Sequence, residues 1–580
     1  MRQFQFEYEN DRAFVKEISK IKQWCSSRIT SGIFFTIYTE SVDKVKIADI
    51  CRTIDEQLPD ALYMGCSTCG NINGGQFTSS DTGIVCTVCE YPSTKIEMKQ
   101  YKLNASLEKS VVEDVIAYTD KNDWIKAIQM FVTIRGMSMT GFCEDMSHIR
   151  KNIQIFGGGA FNPDINNDVA CVFSKPGGYS EQAVAFLFLG GEDFYVESTH
   201  ITGWKPLGRE LIVTKAEGSI LYELDNKPAY DTYYKYLKIK NDENFFNNTL
   251  EFPFFYEHNG INILRAPIAS NSDGSLTMTS DIDENVKARL AYGDPNVILE
   301  DIHFICQRIH RFSPEIIQIF SCAARRTFWG NTEANKETSP FQTIAPTSGF
   351  YTSGEFLRTN GYLNQHNVTL VLASMREGQP IETSIDTLST GSELTGKVSM
   401  ISRLATFIDA ATDELESVNK KLEQIAKLDG LTGIYNRKEI QKLIVSSMKR
   451  GTSVTLIMLD IDNFKSVNDT YGHLEGDNVI IGLSVILKHL TKSSTAVCGR
   501  WGGEEFMVML EDCTRDRAVE IAENLREDFN NSEFKKAGKT TVSVGVTQAF
   551  KNEDPDSLFM RVDKALYKAK QTGKNKVVVL

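Results

Sequence analysis

The spacing of hydrophobic residues changes twice along this chain, and the changes divide it into regions of different structure. Between about residues 30 and 378, short apolar runs such as 31–38 and 181–189 alternate with Gly, Asn and Asp turns and with amphipathic stretches. Runs of this length predict strands, and the stretches between them predict helices, so this is a mixed α/β region. The predicted parts are a helical extension at 1–29 and two consecutive α/β domains at 30–204 and 205–384.

From Leu394 onwards, apolar or small residues recur at alternating steps of four and three, which is the heptad pattern of a coiled coil. Two of the repeating positions, Thr412 and Asn419, are polar, and a polar seam residue is typical of a two-stranded parallel coiled coil. We predict that a helix at 385–428 joins two copies of the chain. The alternative is an amphipathic helix packed on its own domain. The seam series is Leu394, Val398, Ile401, Ala405, Ile408, Thr412, Leu415, Asn419, Leu422 and Ala426.

The pattern of the last region, 429–580, predicts a compact α/β unit. Residues 454–460 are nearly all apolar, which is typical of a central strand buried on both faces. The predicted elements follow in the order helix, strand, helices, hairpin, helix, strand, helix, strand. The stretch R-W-G-G-E-E-F, 500–506, lies at the tip of the predicted hairpin.

Composition and charge limit the functions open to this protein. Its 580 residues exceed what one core supports, so three or four units are expected. The net charge of -13 argues against broad nucleic-acid binding, which needs a positive field. No apolar run reaches the roughly 20 residues of a membrane span, and the polar, acidic first residues lack the features of a signal peptide. Together with twelve scattered cysteines, this predicts a cytoplasmic protein with no membrane insertion.

Carboxylates and glycines converge at one predicted sheet edge. Asp460 ends the central strand, where sheet proteins commonly have their chemistry, and Asp462 follows it. Glu504 reaches the same edge if the hairpin pairs beside that strand. Carboxylate oxygens suit Mg²⁺ or Mn²⁺, while Gly502 and Gly503 permit a tight turn and a close approach of the backbone to a ligand. The alternative is a surface turn with solvated carboxylates, and spacing alone favours neither.

Several motifs in 429–580 occur in the order found in the GGDEF family, the diguanylate cyclases, which this region resembles in the G-G-E-E-F form. The resemblance implies a ferredoxin-like palm and the condensation of two GTP into cyclic di-GMP plus two pyrophosphates. A module that binds GTP without catalysis is the alternative, which loss of Asp460, Glu504 or the glycines would have favoured. The matching stretches are D-G-L-T-G-I-Y-N-R, D-I-D-N-F-K-S-V-N-D-T-Y-G-H-L-E-G-D, R-W-G-G-E-E-F, V-S-V-G-V and Y-K-A-K-Q-T-G-K-N-K.

The same resemblance implies which residues act on the metal ions and the reacting groups. Two Mg²⁺ or Mn²⁺ ions per active site are expected, bridging phosphate oxygens and activating the attacking hydroxyl. Glu505 is expected to accept a proton or to support the metal ligands. The expected metal ligands are Asp460, the backbone carbonyl of Ile461, and Glu504. The expected catalytic residues are Asp460, Glu504 and Glu505.

Substrate contacts are implied in the same way. The carboxylate of Asp477 can accept hydrogen bonds from guanine N1–H and the N2 amino group, which adenine lacks, so GTP is expected over ATP. Lys574 stands where Arg is common in the family, and it keeps the charge without the forked guanidinium. The expected substrate-binding residues are Asn463, Phe464, Lys465, Asn468, Asp477, Gly502, Gly503, Lys570 and Lys574.

Each domain of this family holds one GTP, so two domains must face each other, and a homodimer through the coiled coil and the GGDEF domains is expected. Many members carry an R-x-x-D product-inhibition site before the glycines. Residues 493–496 are S-S-T-A instead, so no inhibition through that site is expected. No phosphodiesterase unit of the E-A-L type is expected after the GGDEF unit.

The region from about 30 to 378 resembles the FIST sensory domain in its N- and C-terminal parts. The resemblance implies a small-molecule ligand, with haem in some members, and hence a ligand-regulated cyclase. Single polar residues that could contact a charged ligand are Arg325, Tyr351 and Glu355. The matching stretches are A-L-Y-M-G-C-S-T-C-G, I-F-G-G-G-A-F, I-F-S-C-A-A-R-R, S-G-F-Y-T-S-G-E-F and H-N-V-T-L-V-L.

Cysteine and histidine positions leave two cofactor alternatives open in this region. A C-x2-C-x16-C-x2-C spacing is that of a zinc site, but the second pair lies in a strand-like run, where residues three apart face opposite sides. Core thiols are therefore the alternative. A haem would need one histidine as its axial ligand. The cysteines are Cys66, Cys69, Cys86 and Cys89, and the histidines are His148, His200, His258, His303, His310 and His366.

Overall fold

The computed structural model describes residues 1–78, 80–134, 137–161, 169–381, 400–493 and 496–580. They form two compact units, Met1–Ala410 and Ala411–Leu580. Both units combine helices with sheets, so the predicted α/β class is confirmed. The predicted seam residues Leu394 and Val398 lie outside the described residues.

The described part of the first unit contains four sheets. The first has the order Arg2–Glu7, Thr82–Cys89, Gly32–Thr39, Leu62–Ser67, Val172–Ser174 and Gly178–Ser180. The second has the order Tyr362–His366, Glu355–Thr359, Gln154–Gly159, Ile125–Val132, Ala183–Gly190 and Lys95–Lys102. The third has the order Phe194–Ile201, Leu370–Glu377, Ile316–Cys322, Thr347–Thr352, Asn71–Asn73 and Gln76–Thr78. The fourth has the order Ile261–Arg265, Phe254–His258, Lys287–Gly293, Trp204–Glu217, Ile220–Leu224, Leu276–Met278 and Pro267–Ser270, with Lys227–Pro228 beside Ile220–Leu224.

Parallel strand pairs connected through helices occur in the first three sheets, as a β-α-β connection requires. The parallel pairs are Gly32–Thr39 with Leu62–Ser67, Ile125–Val132 with Gln154–Gly159, and Ile316–Cys322 with Thr347–Thr352. The helices of this unit are Asp11–Ser26, Lys44–Gln57, Glu108–Lys121, Thr140–Met146, Ala229–Leu237, Phe245–Leu250, Pro295–Phe312, Ala323–Glu333 and Asn335–Gln342.

The two predicted parts of the sensory region contribute strands to the same sheets. In the second sheet Glu355–Thr359 pairs with Gln154–Gly159, and in the third sheet Leu370–Glu377 pairs with Phe194–Ile201. One buried apolar cluster takes side chains from both of these sheets. The parts 30–204 and 205–384 therefore share sheets within one compact unit.

The second unit is built on a five-stranded sheet with Val454–Ile461 at its centre. This strand is antiparallel to Glu505–Glu511 on one side and to Val542–Gln548 on the other, and all of its residues are buried. The order is the ferredoxin-like one, so the predicted palm is confirmed. The outer strands are Val497–Arg500 and Val577–Val579, and a separate hairpin pairs Glu533–Phe534 with Gly538–Lys539. The helices are Arg437–Lys449, Phe464–Tyr471, His473–Ser493, Arg515–Asn530 and Pro555–Gln571.

The predicted coiled-coil segment forms the helix Met400–Lys427 in its described part. Ala405 of the predicted seam is buried within its own chain, whereas the preceding residue, Leu404, is half exposed. Ala405 is therefore not accessible to a partner chain, whereas Asn419 and Ala426 of the predicted seam are exposed, so the phase of the seam as a whole stays a prediction. An exposed apolar stripe with the same heptad steps passes one residue earlier at every second position. It keeps Ile408, Leu415 and Leu422. The stripe is Leu404, Ile408, Ala411, Leu415, Val418, Leu422 and Ile425.

Candidate active site

Asp460 lies near the end of the central strand Val454–Ile461 and is only 4% exposed. Glu505 is its partner on one neighbouring strand and Ser543 on the other. Because carboxylates directly opposite each other repel, this pairing favours a bound cation. One positive charge comes from Lys570, whose Nζ donates to Oδ2 of Asp460 at 2.5 Å.

The electrostatics of Asp460 depend on the same neighbours. Burial raises the pKa of Asp460 most strongly, the hydrogen bond and charge of Lys570 lower it, and the charges of Glu504 and Glu505 raise it, which together place this pKa at about 6. Loss of the proton from the Asp460 carboxyl group is therefore coupled to the binding of a cation beside it.

The oxygen donors at this edge fit a hard divalent cation. In the part of the chain that the structure describes, no group of three or more His, Cys, Asp or Glu residues is arranged to hold a metal ion. The predicted ligand set contains only two such side chains, Asp460 and Glu504, and takes a backbone oxygen from Ile461. The N–H of Ile461 donates to the carbonyl of Glu504 at 3.3 Å, which keeps these ligands side by side. Such all-oxygen sets suit Mg²⁺ or Mn²⁺.

The hairpin loop carries both predicted glycines. Neither has a φ in the left-handed region, so turn geometry does not require glycine here, in contrast to the prediction. A Cβ on Gly502 would lie 2.6 Å from Oε2 of Glu505, whereas a Cβ on Gly503 would project into open space. The lack of a side chain therefore leaves room for the Glu505 carboxylate at Gly502 and for a ligand at Gly503.

Arg500 holds this loop through its guanidinium group. Its Nε donates to the carbonyls of Gly502 and Gly503 at 3.2 and 3.1 Å, and Nη2 donates to Gly503 at 2.7 Å. Its Nη1 lies 3.3 Å from both carboxylate oxygens of Asp429. Since Asp429 follows the helix Met400–Lys427 by two residues, the contact joins the end of that helix to the glycine loop. No spacing rule signals it, because 71 residues separate the two side chains.

The residues predicted to contact guanine lie on two consecutive helices, with Asn468 on the first and Asp477 on the second. Gly476 sits beside both. A Cβ on Gly476 would lie 1.9 Å from Oδ1 of Asn468, so the amide fits against the second helix only because that position is glycine. Gly476 therefore fixes where Asn468 can lie, a role that its sequence position does not reveal.

The predicted phosphate-binding groups meet at the start of the helix Phe464–Tyr471. Lys574 donates from Nζ to Oδ1 of Asn463 at 2.5 Å, and Asn463 takes a left-handed conformation with φ 55° at the N-cap. The first N–H groups of a helix have no partner within the helix and favour anions. The predicted backbone donors Asn463, Phe464 and Lys465 are at this end.

The carboxylate of Asp462 supports the site through hydrogen bonds to neighbouring residues rather than facing the site. Asp462 is 5% exposed and accepts from Thr541 Oγ1 at 2.7 Å, Ser543 Oγ at 2.6 Å and the N–H of Asn575 at 3.0 Å. Both of its oxygens are thus engaged by the protein. The bond to Asn575 fixes the turn that carries Lys574.

In the sensory region the four cysteines considered as a zinc site are not gathered at one place. Cys66 and Cys89 belong to the apolar cluster on one face of the first sheet, whereas Cys86 belongs to the cluster on the other face. Strand alternation explains the separation. Burial raises the pKa of the thiols of all three residues, which favours neutral side chains packed in the core.

The histidines considered for haem are dispersed, apart from one pair. The rings of His200 and His366 lie 4.9 Å apart, and burial lowers the pKa of both. His258 pairs with Asp283, and Nε2 of His303 lies 2.9 Å from the side-chain nitrogen of Gln307. Among the residues that the structure describes, no feature selects one of these histidines as an axial ligand, so haem stays an alternative.

Arg325 is fully buried and committed to the fold. It donates from Nε to Glu337 at 2.9 Å and from Nη1 to the carbonyls of Thr202 and Val368 at 2.6 and 2.9 Å. A contact with an external ligand would break these bonds, so the suggested role for Arg325 is not supported.

Three family models match successive parts of the chain. The model of the FIST N domain matches residues 32–227, that of the FIST C domain 229–358, and that of the diguanylate cyclase GGDEF domain 426–576. The chain is a FIST–GGDEF fusion. The two resemblances found in the sequence are thereby confirmed.

Curated diguanylate cyclases are similar to part of this FIST–GGDEF protein. Diguanylate cyclase DgcM of Escherichia coli (strain K12) is 35% identical over 169 residues, which are 28% of this chain and 41% of the relative. Diguanylate cyclase VdcA of Vibrio cholerae serotype O1 is 34% identical over 182 residues, which are 30% of this chain and 53% of the relative. The chain thus spans about half the length of these relatives or less.

Among solved structures, the active GGEEF domain of a diguanylate cyclase from Vibrio cholerae is 31% identical, with a TM-score of 0.24 and coverage of 25% of this chain and 96% of that chain.

Of the helices within the described ranges, none combines the length and apolar character needed to cross a membrane. Residues 494–495 of the predicted product-inhibition position lie outside the described residues, so that prediction stays open.

Proposed function

We propose that this FIST–GGDEF protein is a diguanylate cyclase whose output is regulated by a small molecule bound to the FIST region. The observation that carries the first half is the cluster of Asp460, Glu505 and Lys570 beside the glycine loop, in a unit that matches the GGDEF family model. The full chain incubated with GTP and Mg²⁺ or Mn²⁺ should form cyclic di-GMP and pyrophosphate, measured by mass spectrometry. GTP binding without product would favour a regulatory GTP-binding module instead.

Asp460, Glu504 and the carbonyl of Ile461 would hold two divalent cations, Mg²⁺ or Mn²⁺. When bound, such cations lower the pKa of the attacking 3′-hydroxyl and offset charge on the phosphates. Glu505, opposite Asp460 on the neighbouring strand, would accept the hydroxyl proton. The remaining work is positioning, which Arg500 supports by fixing the loop of Glu504.

The triphosphate would lie between the lysines and the helix N-terminus. Lys574, Lys570 and the N–H groups at 463–465 provide positive charge and donors for its oxygens. Gly503, which has open space where a Cβ would project, allows the phosphates to approach the loop. The attack then occurs at the α-phosphorus, with pyrophosphate leaving.

Asp477 would select guanine, and Asp477→Ser tests this role. The change removes acceptors for the N1–H and N2 amino groups, each bond to a charged group being worth about 1.5–3 kcal/mol. We expect the ratio of kcat/KM for GTP over ATP to fall at least about tenfold. Asp469→Ser, an exposed position on the preceding helix, is the control and should leave the ratio unchanged. An unchanged ratio in Asp477→Ser itself would exclude the assigned role.

Gly476→Ala tests the position of Asn468. The new methyl group would displace the Asn468 amide, which is the end of a flexible side chain, so the fold should be retained. Loss of one hydrogen bond to guanine should raise KM for GTP about tenfold. The control is Gly476→Ala introduced into the Asn468→Ala variant, where it should have no further effect on KM for GTP. A further rise there would mean that Gly476 acts through another group.

The predicted homodimer supplies the second GTP. The exposed apolar stripe on Met400–Lys427 has the heptad steps of a two-stranded coiled coil and would bring two GGDEF domains together. A cytoplasmic location is part of the proposal, because GTP is the substrate and all twelve cysteines are unpaired.

A further inference from the structure

A cavity of about 500 Å³ opens on the first unit, between the strand Phe194–Ile201 and the helix Pro295–Phe312. Its volume is in the range of small-molecule sites. The residues of its wall that carry the argument are Gln154, Ser198, Arg308, Arg311, Phe312 and Pro380.

Two arginines give the cavity its charge. Arg308 and Arg311 are three residues apart on one helix, so their side chains lie on the same side. Within the described residues, neither guanidinium forms an ion pair or a hydrogen bond, whereas Arg325 and Arg358 of the same unit are fully engaged by carbonyls or a carboxylate. The wall also carries Glu197, so the cavity holds two positive charges against one negative charge.

The rest of the wall is partly apolar and partly hydrogen-bonding. Val196, Phe312 and Pro380 contribute apolar surface. Ser198 donates from Oγ to Oε1 of Gln154 at 2.7 Å, which orients the Gln154 amide. A guanidinium pair recognises carboxylate or phosphate oxygens, and the apolar side suits a hydrocarbon or aromatic part of the same ligand.

The wall of the cavity includes the segment through which the chain leaves the third sheet. Pro380 is followed by Ile381, whose N–H donates to Ser313 Oγ at 3.1 Å and whose carbonyl accepts from that hydroxyl at 2.8 Å. Ser313 is the C-cap of the helix that carries both arginines. A ligand in the cavity would thus contact both the arginine helix and the exit segment 378–381.

We propose that this cavity is the sensory site, that it binds a small organic anion bearing a carboxylate or phosphate next to an apolar group, and that binding tightens the exit segment. The proposal extends the regulatory half of the proposed function and does not require the chain to be an active cyclase. Arg308 and Arg311 hold the anionic group, and Phe312 and Pro380 contact the apolar part.

Titration calorimetry of the full chain with benzoate, phenyl phosphate and the neutral isostere benzamide tests the site. Saturable binding of an anion at least about tenfold tighter than benzamide supports it. The double variant Arg308→Gln/Arg311→Gln should weaken anion binding about tenfold or more, while Arg12→Gln, an exposed arginine on another helix, should not. Equal binding of benzamide, unchanged binding in the double variant, or no binding of either anion below about 10 mM overturns the proposal.

Hydrogen exchange measured by mass spectrometry tests the link to the exit segment. The N–H groups of Gly378 and Ile381 are bonded to the Asp193 carbonyl and the Ser313 hydroxyl, so their exchange reports on this segment. Either bound anion should slow exchange in peptides covering 378–381, and the double variant should abolish the slowing. Anion binding with unchanged exchange there would overturn the regulatory part. Both readouts are independent of cyclic di-GMP formation. A failure of the sensory-site proposal can therefore be distinguished from a failure of the cyclase assignment.

Discussion

Glu504→Gln is expected to lower the rate of cyclic di-GMP formation at least about a hundredfold, because a direct ligand matters more than the outer contacts whose loss costs 10–100-fold in metal affinity. The amide keeps the size of the side chain but cannot offer a charged oxygen to a divalent cation. The fold should not change. The Glu504 side chain makes no hydrogen bond in the described residues, and the loop is held by the Glu504 carbonyl and by Arg500, which the substitution leaves intact.

The measurement is the initial rate at saturating GTP and Mg²⁺, with a thermal melt to check folding. Glu533→Gln, an exposed glutamate on the short hairpin of the same unit, is the control and should keep the wild-type rate. Glu505→Gln provides a comparison. Because Glu505 is assigned as a proton acceptor and Glu504 as a metal ligand, the rates of the two variants should differ in their response to higher metal concentration. A folded Glu504→Gln protein with the wild-type rate would exclude the metal assignment.

Leu415→Asp combined with Leu422→Asp is expected to convert the proposed dimer into monomers and to abolish most product formation. Both side chains are exposed in the protomer, at 65% and 55%, so the substitutions should not unfold it. In a coiled-coil seam they would bury four carboxylates per dimer without partners, which costs several kcal/mol. Since each GGDEF domain would hold one GTP, a monomer lacks the second reactant.

Light scattering gives the mass, and the rate at equal protein concentration gives the activity. Lys420→Asp, on the side of the helix away from the stripe, is the control and should leave both unchanged. A doubly substituted protein that stays dimeric would show that the stripe is not the interface. A monomer that keeps the full rate would contradict the need for two facing domains.

The central strand and the hairpin of the second unit could be predicted because they depend on short-range pattern. The apolar run before Asp460 predicts a central strand, and the hairpin strand does pair beside it, which brings Glu505 opposite Asp460. Strand burial and turn chemistry act over a few residues, so one sequence suffices to detect them.

Contacts between distant residues could not be predicted in this way. The contact of Arg500 with Asp429 and the close fit of Asn468 against Gly476 depend on how separate elements pack. The phase of the heptad could not be predicted from the sequence alone, for a related reason. Two phases share Ile408, Leu415 and Leu422, and only the burial of Ala405 in the folded chain distinguishes them. The cysteine spacing alone would have suggested zinc, but the strand-like run around Cys86 and Cys89 already indicated that a strand separates residues that a zinc loop would gather.

The strands that the two sensory parts share also restrict how evolution can recombine such genes. A crossover between the codons of residues 204 and 205 would require Phe194–Ile201 from one parent to pair with Leu370–Glu377 from another, and their mismatched side chains would meet inside a buried layer. The catalytic part of the second unit, in contrast, follows the helix Met400–Lys427. Natural shuffling is therefore expected to transfer both FIST parts as one cassette, with new combinations of sensor and enzyme arising by exchange within the helix.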